Sequence, residues 1–356
     1  MKASIIFFLL GISASTVLSN PTNGMEVRLE NIGANLERTI TDIMNPLGIE
    51  YEDVKELGSK TLTAFNTMIK AASDGEFDEE AFDDDIKYFK EIVLAMNSHI
   101  GYDVDDLLAA MNTKIEKSRK AMSAVFNGTM ADVYEGVYEE MSAYSNIFAI
   151  LSAVVDVDVS VQVSDTEEYL YRLFISIHKP NSNDFSDAES GAKAFNDLFT
   201  KIMAKFLKAL DIEDDQDFNE LVNEVTTGIQ GTVAAAANGK FDDESIKQTI
   251  GAWGKILTTI NKYAQINEEE LSTPKNDAVA GFLEAVEGAV SSSLSRAVKG
   301  VHKSLSGYTN GLQLFAKKLR IDISDELYKS RNAYYACFSN FNWDAPSDDN
   351  KSNKAS

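Results

Sequence analysis

The sequence Gly-Glu-Phe-Asp-Glu-Glu at residues 75–80 returns as Gly-Lys-Phe-Asp-Asp-Glu at 239–244, and the two halves of the chain stay in register at that shift of 164 positions. Phe82, Ile86, Phe89, Ile92, Val93 and Met96 fall on Ile246, Ile250, Trp253, Ile256, Leu257 and Ile260, and Asn97 falls on Asn261. Tyr144 meets Tyr308 inside matching Ser-x-Tyr-x-Asn segments, and Val157-Asp158-Val159-Ser160 meets Ile321-Asp322-Ile323-Ser324. Near the start of each copy, Leu36, Ile40, Ile43, Met44 and Leu47 match Phe199, Met203, Phe206, Leu207 and Leu210 at a shift of 163, so the copies differ by one loop residue. A self-match of this length implies a duplicated folding unit.

Within each copy the apolar period is helical. Phe82, Ile86, Phe89, Ile92, Val93 and Met96 recur at steps of three and four, which sets them on one stripe and leaves Asp84, Asp85, Lys87 and Lys90 off it. The pattern predicts helices over roughly 27–46, 51–73, 78–99, 103–126, 129–152 and 165–178, with equivalents in the second copy. Start signals are Ser-x-x-Glu at Ser164 and Ser186, a looser version at Asn267, and the acids at Asp78 and Asp242; Gly75, Gly101 and Gly239 are stop signals. The run from Val154 to Val163 alternates like a strand, but its counterpart at Ile321 does not, so both read as connections between helices. The expected fold is therefore all-α, two tandem homologous helical bundles of about five to six helices each, at 20–180 and 185–343.

The ends differ from the body. Lys2, the apolar run Ile5 to Gly11 and the small residues near Ser19 read as a signal peptide over 1–19, which predicts a secreted, extracellular protein. The polar residues 344–356 read as a disordered tail, and Asn127 and Asn350 stand in glycosylation sequons. A formal charge of −23 excludes a nucleic-acid-binding surface as a first reading, and no apolar run is long enough for membrane insertion. An exported chain with one cysteine makes no internal bridge, which leaves Cys337 either a buried apolar residue or the site of an intermolecular disulfide.

Candidate chemistry is sparse. The Asp-Gly-x-Phe-Asp pattern at 74–78 has the outline of a calcium loop, but Lys70, Ala72 and Ala81 stand at ligand positions, so a helix break followed by an Asp cap accounts for it. The acids from Asp74 to Asp85 read as a solvated face. His99, His178 and His302 lie far apart, with Tyr263, Asn342 and Tyr138 at the matching positions, which suits neither a zinc site nor a triad. No catalytic, cofactor-binding or metal-binding residue is assigned, and the expected class is not an enzyme.

The segment from Ala64-Phe65 through Gly75-x-Phe77, the acidic helix start, Ile86, Phe89 and Met96 resembles the α-helical terminal and repeat domains of spider silk proteins. Leu47-Gly48-Ile49 and Ile100-Gly101-Tyr102 are similar in kind. The resemblance implies helical domains that keep a secretion soluble and associate when pH falls. The chain has no Gly-rich or poly-Ala fibre-forming repeat, so an accessory component of a silk or other secretion is the role it implies here.

The expected function is that of an acidic, secreted structural or interaction protein that self-associates or binds another secreted protein as acid relieves carboxylate repulsion. The alternative is an extracellular carrier of lipid or other apolar ligands, its interior lined by Met44, Met68, Met96, Met111 and Met141.

Overall fold

The computed structural model describes residues 22–49, 54–178, 185–213 and 215–339. The signal segment, the boundary between the copies at 179–184, the tail and the Asn350 sequon lie outside these residues.

All regular structure among the described residues is helical. The elements are α1 (Thr22–Met44), a short 3-10 turn (Asn45–Leu47), α2 (Lys55–Asp74), α3 (Glu79–Ile100), α4 (Val104–Asn127), α5 (Met130–Val155) and α6 (Ser160–Ile177). They are followed by α7 (Ala188–Leu210), α8 (Gln216–Ala236), α9 (Asp243–Ala264), α10 (Glu268–Val290), α11 (Leu294–Leu319) and α12 (Ser324–Ser339). In the first half α1 packs on α6, α2 on α3 and α4 on α5; in the second α7 packs on α12, α8 on α9 and α10 on α11. The halves meet where α5 and α6 pack on α11 and α12.

Local chemistry sets the breaks, and much of it is duplicated. Gly75 ends α2 at φ 91°, a left-handed conformation that glycine adopts without strain. Asp78 and Asp242 then cap α3 and α9 by accepting hydrogen bonds from first-turn amides. Asn97 binds both backbone groups of Tyr102, at 3.1 and 3.0 Å, and Asn261 does the same to Ile266, at 3.1 and 2.8 Å. Each side chain closes its interhelical turn, which accounts for a polar residue on an apolar stripe in both copies.

Three expectations are corrected. Ser164 to Glu167 lies inside α6, because the helix already starts at Ser160, whose amide is bound by Asp158 at 2.9 Å. The box at Ser186 shifts by one residue: Asp187 is the cap and pairs reciprocally with Ser190. The connection read over Val154 to Val163 shrinks to 156–159, since α5 continues to Val155 before Asp156 turns it at φ 55°.

The tightest pairing is α10 on α11. A Cβ placed on Gly281, Gly288, Gly300 or Gly307 would come within 2.2, 2.2, 2.1 and 2.3 Å of backbone nitrogen on the facing helix. Only glycine permits that approach. The first half keeps one such point, where Gly136 faces Ala121 as Gly300 faces Ala285. Gly300→Ala is thus expected to destabilise the chain by about 3 kcal/mol or more. In contrast, Gly251→Ala, with nothing within 4 Å of its Cβ, is expected to stabilise it by about 0.5–1 kcal/mol. Equilibrium unfolding in urea measures both.

Candidate functional site

Each half holds a partly open cavity of about 60 Å³, room for roughly two waters at their liquid volume. The two are built from equivalent positions. Phe65, Phe89, Met141, Tyr144 and Leu170 line the first where Ile229, Trp253, Leu305, Tyr308 and Tyr334 line the second. The walls come from the apolar stripes of four or more helices, so the cavity marks where those stripes converge without filling the space.

The polar content differs. Asp85, Lys114, Ser118 and Glu140 of the first cavity stand where the second has Thr249, Ala278, Phe282 and Ser304. Lys114 Nζ lies 3.6 Å from Glu140 Oε1, 3.3 Å from Ser118 Oγ and 4.8 Å from the Phe89 ring centre. Ser118 Oγ donates to Glu140 Oε1 at 2.8 Å. Asp85 is only 8% exposed and accepts no hydrogen bond among the described residues. With all three groups ionised the cluster holds one uncompensated negative charge in an apolar setting.

Burial is therefore the main influence on Asp85; it pushes the carboxyl up to about 6, with Lys114 opposing and Glu140 adding to the rise. Because the folded pKa lies above the unfolded one, the folded chain holds the extra proton: this group's contribution is fully present below the unfolded pKa and is lost as pH rises through about 6. The capping acids act the other way. Hydrogen bonds from amides and hydroxyls hold Asp158, Asp187, Asp242 and Asp322 below the usual range, so their contributions are lost only as pH falls further, through those lowered values.

Among the described residues Tyr144 Oη and Tyr308 Oη make no hydrogen bond of good geometry; Thr166 and Ser330 come near enough to act weakly on the two phenols. Thr166 and Ser330 stand at equivalent positions; each hydroxyl donates to a carbonyl of its own helix, Gln162 at 2.8 Å and Leu327 at 2.9 Å, which leaves its oxygen lone pairs facing the phenol. Burial raises both phenols well above the ordinary tyrosine value, so they stay protonated and present donors to the interior.

Sequence reasoning missed this site. Asp85 was expected on the solvated face, yet it lies one turn from both Phe82 and Phe89 and faces inward with them. The available signal was a set of charged residues at core spacing: Glu140 between Val137 and Tyr144, and Lys114 between Met111 and Ser118. The remaining candidates are dispersed. His178 Nδ1 lies 3.0 Å from the Val125 carbonyl, His302 stacks on Tyr138 at 4.2 Å, and His99 is in the last turn of α3. No group of three metal-ligating side chains occurs among the described residues. Cys337 is fully buried, with Sγ 3.3 Å from the Ala333 carbonyl and its pKa raised by burial, so a bridge to another molecule would require α12 to open. Among the five methionines expected to line an interior ligand space, Met68 and Met141 reach the first cavity, while Met44, Met96 and Met111 belong to the packed core.

Comparison with protein-family models, with curated proteins and with solved structures finds no match.

Asp85→Asn is expected to raise stability at about pH 7.5 by about 2 kcal/mol and to change it little at about pH 4.5. Urea unfolding at the two pH values measures the difference; an equal effect at both would contradict the assignment.

Proposed function

We propose that this chain is a secreted, acidic, non-enzymatic structural protein of two tandem homologous helical bundles, and that it associates with copies of itself as pH falls. The observation that carries this reading is an exposed aromatic ring in the same acid-rich turn of each half. Phe77 is 38% exposed between α2 and α3, and Phe241 is 42% exposed between α8 and α9. Glu76, Asp78, Glu79 and Glu80 flank the first in sequence, with Glu79 paired to Arg119; Asp242, Asp243 and Glu244 follow the second.

Apolar rings attract one another through loss of water-exposed area, and the part of each ring still exposed, 38% of Phe77 and 42% of Phe241, is worth roughly 1 kcal/mol on burial. Carboxylates crowded around them oppose contact while ionised, all the more on a chain of net charge −23. Salt weakens that opposition by screening and acid by protonation, with Asp242 keeping its charge longest because its capping hydrogen bonds hold it below the usual range. Proton uptake at Asp85 acts in the same direction inside the first half, since it removes an uncompensated buried charge and tightens the unit that would assemble. The reading agrees with the silk-domain resemblance and with an accessory role in a secretion.

The carrier reading is favoured by one observation: unfilled cavities persist at equivalent positions in both halves despite divergence of their linings. At about 60 Å³ each, they suit a very small ligand, and a lipid would have to displace core side chains. Lipid mass spectrometry of an extract of the purified protein separates the two readings.

Static light scattering is expected to show a rise in mass between about pH 7.5 and about pH 4.5 at low salt, and a much smaller rise for the Phe77→Ser, Phe241→Ser double variant. Constant mass across that range, at low and high salt, would overturn the self-association reading.

A further inference from the structure

The junction between the halves follows a two-fold rule that its charges then break. Advancing a first-half residue by 164, and moving a second-half residue back by the same amount, turns each of several junction contacts into another contact that is also present. Glu167 on α6 pairs with Lys299 on α11; the exchange gives Arg331 on α12 with Glu135 on α5, which is also an ion pair. Ser293 Oγ donates to Glu168 Oε2 at 3.4 Å, and the exchange gives Thr129 Oγ1 donating to Asn332 Oδ1, also 3.4 Å. The stack of Tyr138 on His302 maps onto itself, which puts it on the axis. The helix contacts obey the same exchange: α6 with α11 becomes α12 with α5, and α5 with α11 is unchanged.

This is the geometry of an isologous dimer interface, in which the same patch serves both partners. The chemistry is not isologous. At matching positions the first half carries Asp132, Glu135, Glu167 and Glu168, while the second carries Arg296, Lys299, Arg331 and Asn332. Two first halves placed face to face would set Glu135 against Glu167 twice. Two second halves would set Lys299 against Arg331 twice. Only unlike halves are complementary, and like-charge juxtaposition in a partly buried setting disfavours the alternatives. Further contacts fix the observed pairing: Glu168 accepts from the Leu294 and Ser295 amides, at 3.1 and 2.8 Å, where the positive end of α11 favours an anion. Arg331 also donates to Asp132 at 3.0 Å.

We infer that the face formed by α5 and α6 is a selective interaction surface whose fitting occupant is the α11 and α12 face of this chain, a two-fold self-pairing surface converted by charge reversal into one that rejects its own kind. The inference rests on the reading of the halves as homologous bundles. It has a consequence for assembly: association between intact chains uses surfaces away from the junction.

The test rewrites the charges in the full-length chain. Glu135→Lys with Lys299→Glu leaves the net charge unchanged but sets like charges together in both junction pairs. It also makes each half complementary to a like half of another chain. The double variant is expected to lose about 5 °C or more in unfolding midpoint and to at least double its mass relative to the native chain at neutral pH, with helical circular dichroism retained. Adding Glu167→Arg and Arg331→Glu restores opposite charge in both pairs. The quadruple variant is expected to return to native mass and to recover at least half of the lost midpoint, Asp132 remaining beside position 331. A double variant with native mass and midpoint, or a quadruple variant no better than the double, would overturn the inference. Both measurements are made at neutral pH, so their outcome is independent of whether acid drives association of the native chain.

Discussion

The close approach of paired helices is what the rest of this structure depends on. With a single cysteine, buried and without a partner thiol in the chain, no covalent brace holds the halves, and order comes from apolar stripes closing on one another. The repeated pairing of first helix with sixth, second with third and fourth with fifth gives every stripe a partner. Where backbones come closest, at Gly300 on Ala285 and Gly136 on Ala121, the same two positions meet in each half. That shared contact point fixes the crossing of α4 on α5 and of α10 on α11, and with it the walls of both cavities.

Against this constant frame the halves differ mainly in where they place charge. Apolar positions exchange one hydrocarbon or aromatic side chain for another, as Phe89 for Trp253. Polar positions change role: a buried Asp, Lys and Glu in the first cavity become Thr, Ala and Ser in the second, and acids on the first junction face become bases on the second. A packed interior tolerates substitutions of similar volume, whereas a charge in a low-dielectric setting persists only with compensation from another charge, a hydrogen bond or a shifted pKa. The first half uses all three. Lys114 compensates Glu140, Ser118 donates to it, and Asp85 takes up a proton more readily.

The helical class, the order of helices and most of the stops were legible from residue period and from Gly75, Asp78 and their counterparts, because these are local signals read along one helix. The ends of α5 and α6 were less so. Val154 to Val163 alternates like a strand, and only the left-handed turn at Asp156 and the hydrogen bond from the Ser160 amide to Asp158 separate two helices there. The cavity cluster was not recognised because a run of acids reads as a solvated face, although Asp85 stands three residues after Phe82 and four before Phe89. Its charged neighbours in the interior, Lys114 and Glu140, are distant in sequence. The junction rule was present in the sequence as charge reversal at matched positions, but it gains meaning only once α5 and α6 are known to face α11 and α12.

Beside the association that the acid-rich turns of both halves would share, the first half has an internal pH response of its own, through Asp85. Hydrogen exchange resolved by peptide, corrected for the intrinsic pH dependence of exchange, tests this most directly between about pH 7.5 and about pH 5.5. In the Phe77→Ser, Phe241→Ser variant, where association through those rings is removed, the account predicts increased protection of α3, α4 and α5 on acidification, with α9, α10 and α11 unchanged. Equal changes in both halves, or none in the first, would contradict it.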